Sequence, residues 1–140
     1  MTNEILSLLV GYNVIDSSKV IEQGWMGSNQ YNTGCLIKST RVHSISDGTI
    51  IAVDKDPKTD TWSVTVEVSS QKWIRYCLLS ATGTVPGMKV TADTVIGYGY
   101  KGKMRLEYCT SEKSEFPVRV LNRQLYKHDP TPILFSMEVI

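Results

Sequence analysis

Apolar and polar residues alternate most regularly in the middle of the chain, with the two-residue period of a β-strand. In residues 61 to 69, TWSVTVEVS, a tryptophan and three valines alternate with threonine, serine and glutamate. This pattern predicts a strand with one buried face and one face in water. Residues 72 to 79, KWIRYCLL, follow after a two-residue break. Such a short connection predicts an antiparallel hairpin.

Turn signals surround further short apolar segments. The segment TIIAV, 49 to 53, is rich in β-branched residues and follows the turn dipeptide Asp47-Gly48, so a strand should leave a tight corner there. Residues 82 to 100 carry glycines and a proline between short apolar pairs. Helical periodicity is absent from 42 to 120. The pattern therefore predicts a mostly β protein built on an antiparallel sheet.

The segment GKMRLEYC, 102 to 109, alternates like a strand but places Lys103, Arg105 and Glu107 on one face. The simplest interpretation is a solvated face on which Arg105 pairs with Glu107 or with another acid, because most such charges only solvate a surface. A functional interpretation is a charged cleft.

Composition and charge exclude several classes of protein. The chain has 140 residues, 41% hydrophobic and 21% charged, which fits one soluble globular domain. A net charge of +1 without a basic cluster predicts no nucleic-acid partner. No Lys or Arg precedes Lys19, and the apolar run of residues 5 to 10 is short. We therefore expect neither a signal peptide nor a membrane span.

Five fragments occur in a recognisable order: VHSISDGTI (42–50), YCLL (76–79), VPGMKVTADTVIG (85–97), YGYKGKMRLE (98–107) and HDPTPIL (128–134). Together they resemble the lysostaphin/LytM-type zinc endopeptidases, which cut peptidoglycan cross-bridges. The resemblance implies an antiparallel β-sheet or sandwich of that type over residues 31 to 135. It leaves an N-terminal extension of helix or loop (1–30) and a short tail (136–140).

The same resemblance implies which residues occupy the metal-binding and catalytic positions of the family. Asn32 and Leu36 stand at the first ligand pair, Leu78 at an upstream histidine, and Lys103 and Arg105 at the two histidines of the late strand. A hydrolytic zinc site needs about three ligands of N, O or S type. Leucine has no lone pair to offer, and a cation repels Zn²⁺. We therefore expect no metal, no cofactor and no enzymatic activity.

Relocated ligands are an alternative that the residues leave open. Cys35 and Cys109 could combine with His43 or His128, whereas strand alternation predicts that Cys77 faces away from the groove. The simpler interpretation is that the cysteines are reduced, small apolar residues and the histidines lie in turns or on the surface. No nucleophile elbow or phosphate-binding loop is present in the sequence.

An emptied cleft could still bind a ligand. Its cations and aromatic rings would grip an acidic or glycan-peptide ligand through guanidinium contacts and stacking. The candidate residues are Arg105, Lys103, Glu107, Tyr76, Tyr98 and Tyr100.

The resemblance also suggests a role, because bacteriophage tail tips and baseplates carry domains of this family. A catalytically inactive copy would be a structural component of the virion, assembled in the host cytoplasm with other tail proteins or with itself. The apolar ends, 4 to 10 and 132 to 140, would suit such contacts. The alternatives are a cell-wall-binding or hydrolase-activating module that contacts peptidoglycan and, less favoured, an active endopeptidase with relocated ligands.

Overall fold

A computed structural model describes residues 20–23, 35–92 and 94–128, and all regular structure in these ranges is β-strand. The strands are β1 (Val20–Gln23), β2 (Cys35–Lys38), β3 (Arg41–His43), β4 (Gly48–Asp56), β5 (Thr61–Ser69), β6 (Lys72–Ala81), β7 (Lys89–Val90), β8 (Val95–Gly99), β9 (Lys103–Thr110), β10 (Pro117–Val120) and β11 (Arg123–His128). No helix long and apolar enough to cross a bilayer occurs in these ranges.

All eleven strands belong to one curled sheet whose pairs are antiparallel. The main order is β1-β2-β9-β6-β5-β4-β7. One edge of β9 pairs first with β2 and, further along the strand, with β11. In the same way, one edge of β6 pairs first with β9 and then with β8. The predicted fold class, a mostly β structure built on an antiparallel sheet, is confirmed.

The hairpin predicted at residues 61 to 79 forms as β5 and β6, with Gln71 in the turn at φ 59°. Its apolar face lies at the centre of the main core. Val64, Val66 and Ile74 are fully buried there, together with Leu106 of β9. The alternating pattern thus identified the buried face of β5 correctly.

The expectation that the opposite face of β5 meets water is wrong for part of that face, since Ser63, Glu67 and Ser69 are partly exposed but two threonines are not. Thr61 and Thr65 on that face are buried. A second apolar cluster, to which β10 and β11 contribute, lies on this side of the sheet and contains Ala52, Trp73, Cys109, Val120 and Leu125. The cover therefore comes from strands far away in sequence, which the local pattern of β5 does not reveal.

A β-bulge interrupts β6 next to the candidate site. Val64 lies opposite Tyr76, but Trp62 lies opposite Leu79, so β6 has one residue more than β5 over this stretch. Leu78 takes up the difference at φ 62°, and its carbonyl accepts a hydrogen bond from Tyr100 N–H at 2.9 Å. Simple alternation does not hold across a bulge.

Several predictions at the chain ends lie outside the described residues. The strand β1 falls within the segment 1 to 30, which was expected to be helix or loop. The rest of that segment, Asn32 and the tail 136 to 140 are outside the described ranges.

Gly99, the last residue of β8, lies very close to the backbone of two other segments. A Cβ atom at Gly99 would lie 2.1 Å from the carbonyl oxygen of Ser39 and 2.7 Å from that of Lys103. Gly99→Ala should therefore destabilise the protein by about 1–3 kcal/mol or more, because backbone atoms must move. Urea unfolding followed by tryptophan fluorescence measures the change.

Gly83→Ala is the matched control, since a Cβ there meets no atom within 4 Å. Its effect should stay within about 0.5 kcal/mol. Equal losses in the two variants would contradict the predicted close approach at Gly99.

Candidate functional site

Three neighbouring strands, β6, β9 and β11, form a buried ion cluster at one face of the sheet. Arg75 lies opposite Glu107 in the β6–β9 register. The Nη1 of Arg75 donates to Oε1 of Glu107, and Nζ of Lys127 lies 2.9 Å from Oε2. The side chain of Glu107 is only 4% exposed. Both carboxylate oxygens are thus engaged by cations.

The two cations determine the ionisation of Glu107. Burial alone would raise the pKa of its carboxyl, but the charges of Arg75 and Lys127 outweigh burial and lower the pKa below its usual value. Glu107 therefore remains a carboxylate at neutral pH.

Two thiols adjoin the cluster and remain protonated. Sγ of Cys77 donates a hydrogen bond to Oε1 of Glu107 at 3.5 Å. Burial, with the nearby charge of Glu107, raises the pKa of Cys77 to about 11 and that of Cys109 to about 12. Since thiolates rather than thiols bind metals and attack carbonyls, neither cysteine is activated.

The position of Cys77 corrects the alternation argument. Its contact with Glu107 places it on the same face as the ion cluster, whereas strict alternation predicted that it would face away from the groove. Regular alternation from Arg75 puts Cys77 on this face, in unbroken register with β9, whereas the prediction counted back from Leu78, across the bulge.

Arg105 lies on the same face of β9, two residues before Glu107. It is opposite Leu36 on β2 and opposite Cys77 on β6. The side chain is half-buried, and its Nη1 is buried without a hydrogen-bond partner. The expected pairing with Glu107 is not the one observed, because Arg75 and Lys127 occupy that carboxylate.

The remaining candidate residues are dispersed. Lys103 is exposed at the start of β9 and shares a backbone bridge with Tyr100, which is 41% exposed. Tyr98 on β8 is 48% exposed. Tyr76 instead lies in the main core, where its hydroxyl accepts a hydrogen bond from Ile45 N–H at 3.0 Å. It packs on the face opposite to that of Arg105 and does not line a shared cleft.

Three residues that the resemblance aligns with metal positions, Leu36, Leu78 and Arg105, lie on neighbouring strands of the sheet but do not suit zinc. Leu36 and Arg105 are cross-strand neighbours, and Leu78 directly follows Cys77. An aliphatic pair and a guanidinium supply no lone pair to Zn²⁺. In the described ranges, no group of three or more His, Cys, Asp or Glu residues is placed to hold a metal.

The histidines do not complete a site with these residues. Nε2 of His128 lies 2.8 Å from Oγ1 of Thr110 and 3.1 Å from the carbonyl oxygen of Glu112, at the far end of β9 from Lys103. His43 lies on β3, which pairs with β8 rather than β9. The donor set of the described residues therefore does not fit a hydrolytic zinc ion.

Sequence reasoning missed Arg75 and Lys127, the partners of Glu107. A signal for Arg75 was present, since it interrupts the otherwise apolar run WIRYCLL of β6. A cation inside a strand that is buried on both faces indicates a buried acidic partner.

No family model and no curated protein matches the chain, but solved structures do. Lysostaphin, an antimicrobial peptidase from Staphylococcus simulans, is 17% identical with a TM-score of 0.69, over 91% of this chain and 54% of that chain. The structure of LytU is 15% identical with a TM-score of 0.64, over 89% of both chains.

A variant of the catalytic domain of EnpA, a prophage-encoded M23 protein from Enterococcus faecalis, is 18% identical with a TM-score of 0.54, over 76% of this chain and 89% of that chain. The chain spans about half the length of two of the lysostaphin structures that it matches. These likenesses show that the chain has the fold of LytM/lysostaphin-type peptidase domains.

Proposed function

We propose that this chain is a LytM/lysostaphin-fold domain that binds rather than hydrolyses, and that it serves as a structural component of a phage tail, tail tip or baseplate. The observation that carries the non-hydrolytic part is the pairing of Arg105 with Leu36 across β9 and β2. By resemblance, these are metal-ligand positions.

The chemistry of the site supports this proposal. Zinc in a hydrolase lowers the pKa of a bound water to about 7 and so supplies the nucleophile. Here the positive charge at the aligned positions comes from Arg105 and Lys103, which repel a cation. Cys77 is held as a thiol, and the carboxylate of Glu107 is engaged by two cations. No residue of the cluster is left as a general base or metal ligand.

Two observations support a structural role in a virion. The fold occurs in a prophage-encoded M23 protein, so phage genomes carry this domain type. In addition, Val85 and Met88, in the turn before the terminal strand β7, are 60% and 37% exposed. An edge strand with exposed apolar residues beside it is suited to contact with another protein. The partners would be other tail proteins or a second copy.

The second candidate is a cell-wall-binding or hydrolase-activating module. It is favoured by the buried, unpartnered Nη1 of Arg105, which is chemically suited to an anionic ligand. Both candidates share the absence of hydrolysis and differ in what the domain contacts.

Zinc addition and a peptidoglycan-release assay test the non-hydrolytic part. We expect no Zn²⁺-dependent change in the unfolding temperature and no release of soluble peptidoglycan fragments. A genuine site would stabilise the fold by about 2.7 kcal/mol at 100 times its Kd. Zinc-dependent stabilisation together with cleavage would overturn the proposal.

A ligand-restored variant serves as the matched control. It carries Asn32→His, Leu36→Asp, Leu78→His, Lys103→His and Arg105→His, and it should gain Zn²⁺ binding if these positions are aligned correctly. Failure of this folded variant to bind zinc would contradict the alignment on which the proposal depends.

The virion assignment has its own test. An antibody raised against the chain should label purified particles of the phage that encodes it, and mass spectrometry should detect the chain in those particles. Detection in the lysate but not in the particles would overturn the structural role.

A further inference from the structure

We propose that Arg105 is the centre of a binding site for the carboxylate of a peptide ligand. The inference rests on the proposed non-hydrolytic function, because it assigns a ligand to the positions where a hydrolase would hold metal. It extends that function by naming the chemical group that is bound.

Among the described residues, the charges on this face are unbalanced next to Arg105. Arg75 and Lys127 both contact Glu107, so this carboxylate is shared by two cations already. No ion pair among the described residues involves Arg105 or Lys103. The local excess of positive charge therefore favours an anion.

The guanidinium of Arg105 also has one buried hydrogen-bond donor without a partner. Its Nη1 is buried and donates to no acceptor, and a buried, unpartnered donor on a charged group is costly. This cost to stability is removed when a ligand supplies the missing acceptor. A carboxylate matches the planar fork of guanidinium with two parallel hydrogen bonds.

The surroundings favour a carboxylate on a carbon chain over a free phosphate. Leu36 lies on one side of Arg105, and the neutral thiol of Cys77 lies on the other side. These neighbours can contact aliphatic or peptide groups but offer few further donors to a doubly charged phosphate. Lys103, exposed at the start of β9, adds attraction at the accessible end of the strand.

Calorimetric titration of the full chain with acetyl-trialanine tests the proposal. The peptide with a free C-terminal carboxylate should bind, and its C-terminal amide should bind at least about tenfold more weakly, the loss expected for one charge-assisted hydrogen bond. Arg105→Gln should lose at least about tenfold in affinity for the carboxylate. Lys89→Gln, on the distant strand β7, should bind like the wild type.

Several outcomes would overturn the inference. Equal binding of acid and amide, or unchanged binding by Arg105→Gln, would remove the carboxylate from the site. Tighter binding of inorganic phosphate would assign a different ligand class.

A stability measurement separates a binding role from a structural one. Arg105→Met should keep or raise the unfolding temperature, because it removes a buried, unpartnered donor while keeping the aliphatic bulk. A clear fall would show that the fold depends on Arg105 and would contradict the proposal. Zinc-dependent cleavage would overturn the non-hydrolytic function instead, whereas absent carboxylate binding without zinc binding would overturn this inference alone.

Discussion

Replacing Glu107 with glutamine is expected to lower the free energy of unfolding by about 3–5 kcal/mol, the usual cost of removing one partner from a buried ion pair. Glutamine keeps the shape of the side chain but removes the charge that compensates Arg75 and Lys127. Those cations are only 11% and 18% exposed, so water cannot fully replace the carboxylate. Urea unfolding followed by far-UV circular dichroism measures the loss.

Asp60→Asn is the control, because it breaks an ion pair of similar length at the surface. Nζ of Lys55 lies 2.8 Å from Oδ1 of Asp60, with the side chains 49% and 82% exposed. Screening by water should limit this loss to less than about 1 kcal/mol. Similar losses in the two variants would mean that burial of the Glu107 cluster contributes little.

The sequence predicts the strand and the shared face of the charged residues, but not whether that face is buried. The strand β9 and the common face of Lys103, Arg105 and Glu107 follow from local alternation alone. Whether this face is solvated depends on β6 and β11, which are distant in sequence. Glu107 is 3% exposed for that reason, although the pattern of β9 by itself favoured a solvated face.

The local sequence also did not reveal which cations pair with Glu107. Arg105 is the nearest cation to Glu107 along the strand, yet the carboxylate pairs with its cross-strand neighbour Arg75 and with Lys127. Residues directly opposite each other in antiparallel strands are closer than residues two apart on one strand. Predicting the pair would have required the β6–β9 register.

The resemblance supplied what periodicity could not. It aligned Leu36 with Arg105 as residues of one site, although they are far apart in sequence, and the β2–β9 register places them directly opposite each other. It did not supply the bulge at Leu78, since a positive φ at a leucine is uncommon and has no clear sequence signal. The facing of Cys77 was mispredicted as a result.

Acid should remove much the same stability as the Glu107→Gln substitution. The pKa of Glu107 is lowered in the folded protein, whereas an unfolded Glu titrates near about 4.3. A lowered folded pKa gives stability that is fully present above the unfolded pKa and is lost as pH falls through the folded pKa. Protonation leaves Arg75 and Lys127 without a compensating charge, which is also the condition of the glutamine variant.

The two proteins should therefore differ most at neutral pH and converge in acid. Urea midpoints measured from pH 7 down to pH 2 should fall more steeply for the wild type than for Glu107→Gln once the pH is below about 5. Asp60→Asn should follow the wild-type curve, because its ion pair is exposed. A gap between wild type and Glu107→Gln that widens toward low pH would show that Glu107 is not held as a buried carboxylate by its two cations.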